Sequence, residues 1–191
     1  MLSRICYALK TAWHYKARLK SYALNPKLQL AKVTDLSSAA LRAQNVQALI
    51  LDFDGVLASH AEPIPRPEVI EWLKALLQEF AGHTVYIWTN KPTQVRQAYF
   101  SQNFPEIVFV MAKRKKPYPD ALQQILQHSG LMPAQLLLVD DRLTTGILAA
   151  ISCNIQAYLL TKPYINFWAR PCTELWFIYL RWLERVACKI I

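Results

Sequence analysis

The chain has 191 residues, with 22 Lys and Arg against 13 Asp and Glu, a formal charge of +9, and 53% hydrophobic and 12% aromatic residues. That length bounds it to one domain with extensions, able to bury roughly two thirds of its unfolded surface without covalent staples. No uninterrupted apolar run reaches the roughly 20 residues of a bilayer-spanning helix, and the four cysteines, Cys6, Cys153, Cys172 and Cys188, show neither a CxxC pair nor zinc-like spacing, which points to idle thiols in a reducing, cytoplasmic setting.

At the N-terminus, Leu2, Ile5, Cys6, Leu9, Ala12 and Trp13 recur at helical spacing, and one basic amphipathic helix is expected over residues 1–24. Its charges, Arg4, Lys10, Lys16, Arg18 and Lys20, are scattered along it, unlike the leader of a secretory signal. Residues 1–50 hold eight basic residues against one acid, 51–160 nine against ten, and 161–191 five against two. Basic ends flanked by Trp, Tyr and Leu suit an anionic membrane surface, whereas a nucleic-acid binder would carry its basic face on the folded body. Peripheral contact with the cytosolic face of a membrane through both termini is therefore expected, and nucleic acid is not; the oligomeric state stays open.

Asn25-Pro26 ends the first helix, and Asp35 to Ser38 supplies caps for a short helix near Ala39–Gln44. Ala48 to Leu51 then reads as a strand buried on both faces. It runs into Asp52-Phe53-Asp54-Gly55, more carboxylate than a turn cap requires. A proline-rich loop leads to a helix over 68–81, a strand over 84–88 closed by Thr89-Asn90, a helix over 94–103, and a strand over 107–111. The basic run Lys113 to Lys116 precedes a helix over 120–128. Leu136 to Val139 is a fourth strand, ending on Asp140-Asp141, and Ile155 to Leu160 a fifth. Strands alternating with helices at this spacing predict an α/β fold, a three-layer doubly wound parallel sheet of about five strands in a body spanning 25–163. The tail, 164–191, reads as an aromatic amphipathic helix with Leu175, Trp176, Tyr179, Trp182, Leu183, Val186 and Ile190 opposite Glu174, Arg181 and Arg185. It could pack on the sheet, on a second copy or on a bilayer.

Asp52, Asp54, Thr89, Lys116 and Asp141 all follow predicted strands or open the loops after them, so in a parallel sheet they gather at one edge. Carboxylates, a hydroxyl and a lysine at one edge match the needs of phosphoryl transfer. Carboxylates bind Mg²⁺, one of them attacks phosphorus, and the lysine and hydroxyl neutralise the transferring group. The order and spacing of Asp52-Phe53-Asp54-Gly55-Val56, Thr89-Asn90, Lys116-Pro117 and Asp140-Asp141 resemble the four motifs of the haloacid dehalogenase superfamily, over about Pro26 to Pro163. The resemblance implies a Mg²⁺-dependent phosphatase in which Asp52 is the nucleophile and Asp54 the general acid and later base. Thr89, Asn90 and Lys116 would hold the phosphoryl group. Asp52, the Asp54 carbonyl and Asp141 would hold the metal, with Asp140 assisting.

The lead-in Asn25-Pro26 to Asp35-Leu36, the Asp141 to Thr145 loop and Thr161-Lys162-Pro163 look like the branch containing phosphatidylglycerophosphate phosphatases. The short gaps between motifs leave no room for a cap domain, which implies an open mouth and a large substrate such as a phosphorylated lipid. Three departures stand out. Gly55-Val56 replaces the branch's Asn-Thr, Arg142 replaces Gln, and Gly146 stands where an acid is expected, with Asp140, at a usual Gly position, able to supply that second carboxylate. A soluble phosphatase for a sugar, nucleotide or protein phosphate, and a scaffold that kept the fold but lost turnover, are the alternatives. His14, His60, His83 and His128 show no metal-ligand spacing; His60, with Ser59 and Arg66, lies near enough to the first motif to touch substrate.

Overall fold

The computed structural model describes residues 2–190; Met1 and Ile191, the outer ends of the two expected terminal helices, lie outside the described residues. Six strands form one sheet: β1 (Gln29–Leu30), β2 (Ala48–Leu51), β3 (Thr84–Ile87), β4 (Ile107–Phe109), β5 (Leu136–Asp140) and β6 (Gln156–Leu160). Their order is β1-β6-β5-β2-β3-β4, and every pairing is parallel. All five expected strands are present. The sixth, β1, is a two-residue edge strand on β6, too short to show any alternation of burial in sequence.

Among the described residues eight α-helices accompany the sheet: α1 (Leu2–His14), α2 (Lys16–Leu24), α3 (Ser38–Ala43), α4 (Pro67–Glu79), α5 (Gln94–Asn103), α6 (Asp120–Ser129), α7 (Leu148–Ser152) and α8 (Pro171–Ile190). Three layers follow from the strand period of two, which sends successive side chains to opposite faces. Leu49 and Leu51 pack with Val69 and Leu73 of α4 and Phe100 of α5. Ala48 and Ile50 pack on the other side with Leu19 of α2, Leu122 and Ile125 of α6 and Leu148 of α7. Helix starts follow local chemistry: the Ser37 hydroxyl accepts from the Ala40 N–H, and Thr93 caps α5 in the same way.

From β2 the chain winds outwards through β3 and β4, then returns to the opposite side of β2 as β5 and continues to β6. The winding reverses between β2 and β5, the place where open α/β sheets leave a crevice beyond their carboxyl ends.

The N-terminal end departs from expectation. The N-terminal segment is two helices, broken at Tyr15 (φ −101°, ψ 20°). Leu19 and Tyr22 of α2 are buried, whereas α1 buries no residue, so each half follows a different surface. At the other end, α8 is helical as expected, and it turns its charged face inward. Its buried residues are Glu174, Arg181, Glu184 and Cys188, while Leu175, Trp176, Tyr179, Trp182 and Leu183 are exposed. Buried charges persist only when paired, and each of these meets a partner at the carboxyl edge of the sheet.

Candidate active site

Pairing of Leu51 with Val139 sets the ends of β2 and β5 side by side, and the Asp52 N–H donates to the Val139 carbonyl at 3.0 Å. Carboxylate oxygens of Asp52, Asp140 and Asp141 consequently lie within 4.8 Å of one another, all three residues buried. Lys116 reaches in from the loop after β4. Its Nζ donates to Asp52 Oδ1 at 2.8 Å and to Asp140 Oδ2 at 2.7 Å, 4.6 Å from the Trp88 ring centroid. The loop after β3 steers it, since Asn90 Oδ1 accepts from the Lys116 N–H at 2.7 Å.

Three carboxylates with one lysine leave negative charge in excess. Burial pushes the Asp52 carboxyl well above the usual range; the Lys116 charge opposes this, and repulsion from Asp140, Asp141 and Asp54 adds to it. Asp141 is raised to about 6 by burial and by Asp140, against the pull of Arg181. A buried set of hard oxygen donors repelling one another suits a hard divalent cation. Lys116 is held above its ordinary value, since Asp140 and Asp52 outweigh its burial.

Two glycines let these carboxylates converge. Gly55 has φ +88°, and a Cβ there would stand 2.5 Å from Asp141 Oδ2, so the position excludes side chains on both conformational and steric grounds. At Gly146 a Cβ would lie 2.0 Å from Asp140 Oδ2. The Asp140 carboxylate therefore fills the space into which a side chain at 146 would begin to project.

Asp54 stands apart from the trio. Arg96 of α5, 2% exposed, grips it with a fork of 2.7 and 3.0 Å, and the Ala61 N–H adds a third bond at 3.1 Å. Burial pushes the Asp54 carboxyl up, but the Arg96 bonds and charge outweigh it and hold it below the usual range. The Arg96 guanidinium also stacks 3.9 Å from the Phe53 ring centroid.

α8 closes over this edge. Arg181 Nη1 donates to Asp141 Oδ2 at 2.5 Å. Glu184 takes the Arg142 guanidinium, the Thr144 hydroxyl and the Leu143 N–H. Glu174, wholly buried, accepts from the His60 N–H and pairs with His60 Nδ1 at 3.0 Å, while the His60 ring stacks on Phe177. From α1, the Arg4 Nε donates to the Lys116 carbonyl at 2.6 Å, and Tyr7 stacks on Tyr118. A cavity of about 320 Å³ remains, with Asp52, Asp54 and Asp141 in its wall and Arg4, Phe177 and Leu180 at its rim. No domain is inserted between the motifs, yet the mouth is not open as expected. The two terminal helices narrow it, because their charged residues find partners on the carboxyl edge.

The sequence profile of the haloacid dehalogenase-like hydrolases matches residues 8–154. The chain belongs to that family. It is 32% identical over 158 residues to a phosphoglycolate phosphatase of Vibrio vulnificus (strain YJ016), covering 78% of this chain and 62% of that protein. It is 33% identical over 104 residues to a phosphoglycolate phosphatase of Aliivibrio fischeri, covering 51% and 44%. The chain thus spans less than two thirds of the length of these relatives. Among solved structures it is similar to a predicted phosphoglycolate phosphatase from Haemophilus somnus, at 18% identity and a TM-score of 0.45, covering 63% of this chain and 88% of that one.

Of the residues that the haloacid dehalogenase motifs single out, Asp52, Asp140, Asp141 and Lys116 meet in one cluster. Asn90 lines the cavity beside them, and Asp54 lines it from within the Arg96 fork. Thr89 is buried next to Asn90, its hydroxyl accepting from the Lys91 N–H. His60 reaches the cavity wall, whereas Ser59 is buried outside it and Arg66 pairs with Glu62 and Glu68 away from it. Sequence reasoning missed Arg96 as a partner. Its signal was faint: an arginine four residues before Phe100 on a helix face that must bury demands a carboxylate nearby. Glu174 and Arg181 were placed with Arg185 on the face opposite the tail's apolar side but without partners, and Glu184 was not singled out, because periodicity separates two faces without showing which is buried.

Proposed function

We propose that this haloacid dehalogenase-like protein is a Mg²⁺-dependent phosphomonoester hydrolase acting through an aspartyl-phosphate on Asp52, with a lipid phosphate such as phosphatidylglycerophosphate as its substrate. The observation that carries the reaction type is the buried trio Asp52, Asp140 and Asp141 with Lys116 between two of its members. Asp52, Asp141 and Asp140 would hold Mg²⁺, which when bound offsets their charge and that of the phosphoryl oxygens.

A carboxylate oxygen of Asp52 attacks phosphorus, the bond to the ester oxygen breaks, and that oxygen leaves with a proton from Asp54. In the second half, water attacks phosphorus, the Asp52–phosphorus bond breaks, and Asp54 takes the water proton. The Arg96 fork keeps Asp54 in its base form, so its acid form requires that fork to loosen. Lys116 exchanges carboxylate partners for phosphoryl oxygens, and the Thr89–Asn90 turn fixes where it stands.

Membrane contact is supported by the outward face of α8, by the segment just before it and by α1. Trp176 and Trp182 are each 57% exposed and Trp168 fully so, and α1 exposes Leu2, Leu9 and Trp13 beside Lys10. Amphipathic rings with adjacent cations suit the interface of an anionic bilayer. The relatives named phosphoglycolate phosphatase favour a second reading, a small soluble phosphomonoester. A phosphate-release panel with Mg²⁺ separates the two, since a detergent-dispersed lipid phosphate hydrolysed faster than soluble monoesters supports the first. Asp52→Asn should abolish release, and turnover at the parental rate would refute the nucleophile assignment. Co-sedimentation with anionic vesicles should be lost in Trp176→Ser/Trp182→Ser, a change that spares the buried pairs that truncating α8 would break.

A further inference from the structure

Three cations at the cavity rim have no role in the chemistry above. Arg4, Lys91 and Lys115 all line the cavity, and among the described residues none has a carboxylate within ion-pair reach. Every other cation of the wall is already matched: Lys116 by Asp52 and Asp140, Arg142 by Glu184. On the acid side, Asp54 is matched by Arg96 and Asp141 by Arg181. The rim therefore carries surplus positive charge that the phosphoryl pocket below does not use.

The arrangement concentrates that surplus. Arg4 is tied to the Lys116 carbonyl, one residue from Lys115. Its pKa is lowered by partial burial and by the nearby Arg142 charge, as for a cation placed among like charges. Lys91 Nζ and the Arg142 guanidinium stand 6.0 and 5.8 Å from the Phe177 ring centroid. Holding like charges together at a half-enclosed mouth is unfavourable unless an anion arrives to separate them. A single phosphomonoester is consumed by Asp52, Lys116 and Asn90 at the floor, leaving nothing for the rim.

We infer that Arg4, Lys91 and Lys115 form a subsite for a second anionic group on the substrate, a phosphodiester or a carboxylate joined to the scissile phosphomonoester by a short linker. This rests on the phosphatase reading and narrows its substrate class. Phe177 and Leu180 give the same rim an apolar flank, which a diester bearing an acyl-glycerol arm would cover and a free carboxylate would not.

Steady-state phosphate release with Mg²⁺ tests it on glycerol 1-phosphate, phosphoglycolate and a water-soluble glycerophosphoryl-glycerol phosphate. The parent should favour a two-anion compound over glycerol 1-phosphate by at least tenfold in kcat/KM, mostly through KM. In Lys91→Gln/Lys115→Gln, and separately in Arg4→Gln, that ratio should fall at least fivefold. A diester preferred over the carboxylate points to a lipid headgroup, the reverse to a small organic acid. A parental ratio near one, or a ratio unmoved in both variants, overturns the inference. If the parent hydrolyses none of the three, the phosphatase reading fails by itself. The intact compounds then serve as ligands in calorimetry, where equal Kd for one-anion and two-anion compounds overturns the subsite and a tenfold difference lost in the variants upholds it.

Discussion

Arg181→Met isolates the contact that most distinguishes this edge from a bare carboxylate cluster. Arg181 is 5% and Asp141 3% exposed, and removing one partner of a buried pair costs about 3–5 kcal/mol when the other stays charged. Asp141 has an escape, because it can take up a proton. With its carboxyl already raised to about 6, neutralising it at pH 7.5 costs about 2 kcal/mol, at 1.36 kcal/mol per pH unit. The metal-free variant should therefore lose about 2–3 kcal/mol at pH 7.5, the cost of that proton plus the lost packing of the arginine stem. At pH 5 Asp141 is largely protonated beforehand, and the loss should shrink to about 1 kcal/mol. Saturating Mg²⁺ at pH 7.5 should shrink it likewise, because the ion supplies the charge that Arg181 supplied. Urea denaturation in EDTA at both pH values, and with Mg²⁺, measures all three, and calorimetry should show tighter Mg²⁺ binding by the variant. An equal loss under all three conditions would refute the reasoning and reduce Arg181 to a packing residue.

The parent's own pH dependence follows from the same group. A carboxyl raised in the folded state favours folding while protonated, and that contribution fades as pH rises through about 6. Against Asp141→Asn, the parent in EDTA should lose about 2 kcal/mol between pH 4 and 7, read from paired denaturation curves; a flat difference would contradict the burial of that charge. Arg96→Gln removes the fork on Asp54, so its carboxyl should rise, the acid limb of the kcat profile should move to higher pH, and kcat should fall by about tenfold or more. Gly146→Asp alone should destabilise by about 2 kcal/mol by crowding Asp140. Combined with Asp140→Gly it should recover at least 1 kcal/mol, a coupling that a double-mutant cycle reads directly.

Strand and helix placement in the body was legible because burial on both faces leaves continuous aliphatic runs, as in Ala48–Leu51 and Leu136–Val139, and because the caps read at Asp35–Ser38 include Ser37, which caps α3. Asp52, Asp141 and Lys116 were legible as neighbours since a parallel sheet delivers every strand's carboxyl end to one rim, whereas Asp140 entered only through the family resemblance. The two-residue β1 and the π-turn at Leu143–Ile147 leading into α7 were not legible, being held by pairing and by the close approach of Gly146 to Asp140. The orientation of α8 was unreadable for a stronger reason. Periodicity establishes that a helix has two faces but not which one finds a partner, and here the partner is a site whose charge is a tertiary property.

The orientation of α8 links the composition of the chain to its site. A helix that spends Glu174, Arg181 and Glu184 inward has only Leu175, Trp176, Tyr179, Trp182 and Leu183 to show outward, and an exposed contiguous apolar face of that kind ordinarily marks an interaction surface. The inward contacts are ionic and the outward face is apolar, so the two respond to different agents. Charge arriving at Asp141 weakens the hold of Arg181, whereas an apolar medium stabilises the outer face without touching it. Because both faces belong to one rigid segment of 20 residues, a surface that captures Trp176 and Trp182 also fixes the position of Phe177 and Leu180 at the cavity rim. If α8 only packs on its own body, Trp176→Ser/Trp182→Ser should leave KM for every substrate unchanged with and without anionic vesicles. A rise in KM confined to the vesicle-bound substrate is the expected result, and it would place the outer face of α8 and the entrance to the site in one functional unit.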